Sequence, residues 1–142
     1  MFKLNYSFCT TDFILNEITD VSQKSAIQKF IDDKSLAILS FTDISKIYHE
    51  LNNHKGLSSQ DCSVLITARE YEAILLTGDS HLRKIAESDG IEVHGILWVF
   101  DELFDNNIIN AKNAHSKLSH LMKINTFLPQ DECIKRLNKW KQ

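Results

Sequence analysis

A single proline, four glycines and three cysteines in 142 residues exclude several kinds of protein at once. With Pro129 alone there is no proline-rich linker, and neither a low-complexity stretch nor an internal repeat interrupts the chain. Cys9, Cys62 and Cys133 are odd in number and far apart, which argues against a disulfide framework or a zinc knuckle and for reduced thiols in a cytosol. The six histidines show no paired ligand spacing, which speaks against zinc. No apolar run approaches the length needed to cross a bilayer. The N-terminus lacks the charged segment, apolar core and cleavage site of a signal peptide. A formal net charge of −3 offers no bulk basic surplus for nucleic acid. Carboxylates gathered around a cation distort that count, so composition neither supports nor excludes an RNA substrate.

What is present fits one ordinary soluble globular domain, with 43% hydrophobic and 25% charged residues. Short apolar runs alternate with helical spacing. Tyr6 to Thr10 reads as a strand, and Asp12 to Asp20 as a helix capped by Thr11 or Asp12. A helix over Ser22 to Asp33, a strand over Leu36 to Leu39 and a helix over Thr42 to Asn52 follow. Ser58 opens the next helix with Asp61 three residues on, a variant of the capping box. Ala73 to Thr77 reads as a buried parallel strand, Ser80 to Ser88 as a helix closed by Gly90, and Ile91 to Val93 as a strand. Ile96 to Phe100 is a further apolar run, and helices are expected over Ala111 to Lys123 and Pro129 to Lys139. This alternation predicts a three-layer α/β/α fold with a mainly parallel sheet.

In such sheets ligands bind beyond the carboxyl ends of the strands. Three acids fall near such ends or near the start of a helix: Glu17, Asp61 and Asp79. Asp61 has Val64, Leu65 and Ala68 at i+3, i+4 and i+7, and Glu17 has Phe13, Ile14 and Val21 at i−4, i−3 and i+4, so both share apolar stripes. An inward acid needs a partner, and a divalent cation would serve. Each also has a purely structural reading: Asp61 as a capping-box member, Asp79 as a helix cap, Glu17 as a solvated helix residue.

The wider pattern is more specific. Leu57-Ser58-Ser59-Gln60-Asp61, then Ala68-Arg69-Glu70, then Ile74 through Arg83 strongly resembles the second half of the PIN domain family. Ile91 through Trp98 followed by Asp101-Glu102-Leu103 is similar to one bacterial and archaeal branch, and Thr11 through Glu17 resembles the helix carrying the family's glutamate. The resemblance covers nearly the whole chain. It implies a metal-dependent endoribonuclease that cleaves single-stranded RNA with one or two Mg²⁺ or Mn²⁺ ions. Glu17, Asp61 and Asp79 would be metal ligands, with Thr77 supplying a hydroxyl beside the last acid. Arg83 and Lys84, one turn past Asp79, are weaker candidates for the RNA backbone.

The same resemblance implies a toxin of a toxin–antitoxin pair, with an antitoxin protein as partner and a homo-oligomeric, cytoplasmic state. It also implies a first strand, ending in a fourth acid, that precedes everything seen here. Its absence raises the alternative of a catalytically inactive PIN-like module that binds RNA or a protein. Residues 1–105 are read as the PIN-like domain, and 106–142 as a helical extension packing on it, with Trp140 either in the core or anchoring a partner. A phosphotransfer receiver, which shares acids at strand ends, is disfavoured because the N-terminal acid pair and the later strand-ending lysine are lacking.

Overall fold

The structure, a computed structural model, describes residues 1–141. Among these, four short strands and eight helices alternate, as an α/β fold requires. They fall into two compact units. One comprises Phe2 and residues 4–94, and the other comprises Met1, Lys3 and the chain from Gly95 on. The division comes after His94, whereas the sequence reading placed it after residue 105.

The first unit contains all the strands. Strand β1 (Phe8–Thr11) runs parallel to β2 (Leu36–Leu39), and β3 (Leu75–Leu76) runs parallel to β4 (Val93–His94). The expected parallel pairing is present, but as two separate two-stranded sheets. The expected strand over Ala73 to Thr77 pairs only at Leu75 and Leu76. The flanking bonds from Leu75 N–H to Glu92 O and from Thr77 N–H to His94 O close the ladder at 2.9 and 3.0 Å.

Helices α1 (Asp12–Glu17), α2 (Val21–Asp32), α3 (Ile44–Asn53), α4 (Ser59–Glu70) and α5 (Ser80–Ser88) surround these strands. Helix α4 is the hub, packing against α1, α3, α5, β1 and β3. Its buried residues Cys62, Ser63, Leu65, Ile66, Thr67 and Ala68 lie on more than one face, which marks a central helix and not a surface one. Leu57, Leu75, Leu82, Ala86 and Val93 complete this core. Of the apolar residues Ile44, Ile47, Tyr48 and Leu51 on α3, only Ile47 is fully buried. Leu51 is half-buried, and Ile44 and Tyr48 are exposed.

The second unit is helical: α6 (Ile96–Asp105), α7 (Ala111–Ile124) and α8 (Gln130–Trp140). The apolar run from Ile96 is a helix. Periodicity cannot separate five consecutive apolar residues from a strand, but Phe104, at i+4 from Phe100, extends them with helical spacing. Phe100, Ala114, Leu118, Leu128, Cys133 and Trp140 form its core. Trp140 is 1% exposed and packs at a tilt against the rings of Phe100 and Phe104, so it is a core residue of this unit and not an exposed anchor. Arg136 grips Asp101 through two nitrogens at 2.9 and 2.7 Å, tying α8 to α6.

Candidate active site

Each sequence-predicted acid has a defined local role. Ser58 caps α4: its Oγ accepts the Asp61 N–H at 3.0 Å, while the Ser58 N–H donates to Asp61 Oδ2 at 3.2 Å. The reciprocal capping box expected from the sequence is therefore formed. Asp79 caps α5, its Oδ1 accepting the N–H groups of His81 and Leu82 at 2.8 and 2.9 Å. Thr77 Oγ1 accepts the Asp79 N–H at 3.1 Å, which fixes the turn out of β3. A Cβ built on Gly78 meets nothing within 4 Å, so the space beside this turn is open.

Glu17 departs from the expectation. It is the last residue of the six-residue α1 and is exposed, not inward-facing. The stripe fails because the helix stops there: Ile18 N–H turns back to Leu15 O at 3.1 Å, and Val21 begins a separate helix capped by Asp20. Asp61 is half-buried beside Leu65 and Ala68, both buried, so its stripe holds.

A buried hydroxyl relay brings two of these segments together. Ser63 Oγ donates to Gln60 O at 2.7 Å, which uses its only proton. The 2.8 Å contact between Thr11 Oγ1 and Ser63 Oγ must then have Thr11 as donor. Thr11 Oγ1 in turn accepts the Ile14 N–H at 3.2 Å, capping α1. The last residue of β1 is thus bonded to the second turn of α4, two residues from Asp61. A second link runs from the His81 ring to the Lys55 carbonyl at 3.0 Å, joining the first turn of α5 to the loop before α4. Asp61 and Asp79 therefore lie in segments held at the carboxyl ends of β1 and β3, where an α/β fold places its ligands.

A family model described as a PIN domain matches residues 1–142. The chain belongs to the PIN domain family. No curated protein and no solved structure matches it. PIN domains generally use divalent metal ions. In this PIN domain the donors are of the right kind, hard carboxylate and hydroxyl oxygens. They do not form a protein cage: among the described residues no three His, Cys, Asp or Glu side chains are gathered to hold a metal. Mg²⁺ asks for less, since it keeps several waters and takes one or two carboxylates together with substrate phosphates. Asp61 and Asp79 fit that looser demand, because each commits one carboxylate oxygen to its cap and leaves the other outside it.

Of the basic residues proposed for RNA, Arg83 is engaged within the fold. Its guanidinium donates to Thr77 O at 3.4 Å and Val93 O at 3.5 Å, and lies 3.8 Å from Glu87. Lys84 is exposed. Sequence reasoning missed Glu50, the one buried carboxylate among the described residues, at 5% exposure. Arg69 bonds Glu50 Oε1 at 2.5 Å and Asp89 at 2.6 Å, tying α3, α4 and the end of α5. Glu50 Oε2 has His54 at 3.4 Å, close enough for an ion pair yet not aligned as a hydrogen bond. The signal available was the i+3 spacing of Glu50 from Ile47 on the buried side of α3.

Proposed function

We propose that this PIN domain is an endoribonuclease that hydrolyses single-stranded RNA with Mg²⁺ or Mn²⁺. The observation that carries the reading is that Asp79 follows the carboxyl end of β3, while the helix that begins with Asp61 in its first turn is bonded to the carboxyl end of β1 through Thr11–Ser63 and to α5 through His81–Lys55. In this proposal Asp61 and Asp79 hold the cation, with Thr77 in the turn beside Asp79, while Glu17, the third ligand the resemblance implies, stands exposed at the end of α1. Bound there, the cation would supply an activated water and offset charge developing on the phosphate. The chain's own contribution is rigidity. The capping box fixes Asp61, the double N–H cap fixes Asp79, and Thr77 fixes the turn between strand and helix. The proposal extends to a cytoplasmic, homo-oligomeric toxin neutralised by an antitoxin protein.

One observation favours a second reading, a PIN module that binds RNA or protein without cutting it: among the described residues no three His, Cys, Asp or Glu side chains are gathered to hold a metal. Cleavage of a labelled single-stranded RNA separates the two. The nuclease reading expects cleavage with Mg²⁺ or Mn²⁺, none with EDTA, and none by Asp79→Asn. The variant preserves the helix cap, because asparagine caps as well as aspartate, but removes the charge. Persistent cleavage by Asp79→Asn, or none by the wild type with either metal, would overturn it. The toxin role is checked by growth arrest on expression and by its relief when a candidate antitoxin is co-expressed.

A further inference from the structure

An acidic site that takes RNA needs a cation nearby to hold the phosphate backbone, since its own carboxylates repel it. Arg83 is tied to backbone carbonyls and would have to abandon them to serve. The loop between α3 and α4 offers another. Its Lys55 carbonyl accepts a hydrogen bond from the His81 ring at 3.0 Å. A carbonyl only accepts, so the proton sits on His81 Nε2. The His81 backbone N–H meanwhile donates to Asp79 Oδ1. Lys55 and Asp79 are thus joined through a single residue, and Lys55 precedes Asp61 by six positions on the other side.

Gly56 makes this clip achievable. Its φ of +91° is one that side-chain-bearing residues rarely adopt, and a Cβ there would stand 3.3 Å from His81 Nε2. The backbone therefore presses close against the imidazole. The Lys55 side chain itself is exposed, and no salt bridge joins it to an acid among the described residues.

We propose that Lys55, clipped to α5 by His81, is the residue that binds the RNA phosphate backbone beside Asp79. This rests on single-stranded RNA being the substrate. Lys55 is a positioning residue; it holds the strand and takes no part in the bond breaking.

The test measures binding, without divalent metal, of a fluorescently labelled single-stranded oligoribonucleotide by anisotropy across a series of salt concentrations. Lys55→Ala should weaken binding several-fold and reduce the slope of log K against log salt by about 0.7, the value for one phosphate contact on a single strand. Lys55→Arg should restore both. His81→Ala keeps the lysine charge but releases the clip, and should lower affinity at an unchanged melting temperature. A merely structural lysine would not change the salt slope. Wild-type binding with an identical affinity and slope in Lys55→Ala overturns the assignment of Lys55 and leaves the RNA reading standing. A wild-type chain that binds the RNA neither without divalent metal nor with Ca²⁺ in its place overturns both.

Discussion

Thr11 Oγ1 and Ser63 Oγ stand 2.8 Å apart in the interior, both side chains fully buried, and their bond couples the end of β1 to the second turn of α4. Because every donor and acceptor in the relay is used, removing either hydroxyl strands a buried partner. Ser63→Ala should cost about 1–3 kcal/mol. Thr11→Val should cost at least as much, since it also loses the α1 cap. Urea unfolding of the two single variants and the double variant should give a coupling energy of about 0.5–3 kcal/mol. Strict additivity would show that the two hydroxyls act independently.

At Asp79 the cap and the charge separate cleanly. Asp79→Ala should destabilise by about 0.5–2 kcal/mol, because the His81 and Leu82 N–H groups lose their acceptor. Asp79→Asn should stay close to the wild type in thermal melts. Equal melting temperatures for both variants would mean that the cap contributes nothing.

Glu50 should be the most sensitive acid in the chain for stability, ahead of Glu17, Asp61 and Asp79. Glu50→Ala leaves Arg69 with Asp89 alone and opens the junction of α3 and α4, at an expected cost of about 1–3 kcal/mol. Glu17→Ala, at an exposed helix end, should lie within about 0.5 kcal/mol of the wild type. Chemical denaturation of the two variants side by side checks the ranking.

The buried Cys62 thiol predicts an alkaline limit. Burial, and then the Glu50 and Asp61 carboxylates, push its pKa up to about 11. An unfolded thiol ionises near about 8.5. Deprotonation therefore favours the unfolded chain first, so this contribution is complete below that value and is lost as pH rises toward about 11. Cys62→Ala should flatten the fall of stability across that window. In the native protein at pH 8, Cys9 should be the thiol that reacts with an aromatic disulfide reagent, with Cys62 and Cys133 protected until unfolding.

Trp140 tests the helical unit. Trp140→Ala should cost about 3–5 kcal/mol, the usual range for a buried aromatic in contact with others. A variant as stable as the wild type would mean that α8 does not depend on this residue for its packing.

The sequence by itself determined the local elements whose signals lie within a few residues. The Ser58–Asp61 capping box, the start of α7 at Ala111 and the β2 strand stand where the pattern placed them. Helix α5 also runs from Ser80 to Ser88 as expected. Caps and periodicity act over one or two turns, so a linear reading captures them. The PIN resemblance was likewise legible, because it rests on contiguous motifs. The tertiary structure alone decided the rest. Ile96 to Phe100 became a helix because its packing partners, Ala114 and Trp140 among them, lie far along the chain. Glu17 is exposed because α1 stops at that residue and Val21 begins a separate helix, so the stripe that would have turned it inward is never completed. The Thr11–Ser63 relay, the Glu50–Arg69–Asp89 bridge and the His81–Lys55 clip span 52, 19 to 20 and 26 positions respectively. Such pairs leave no periodic trace in sequence, since hydrogen-bonding geometry is set by where the backbone has already been carried.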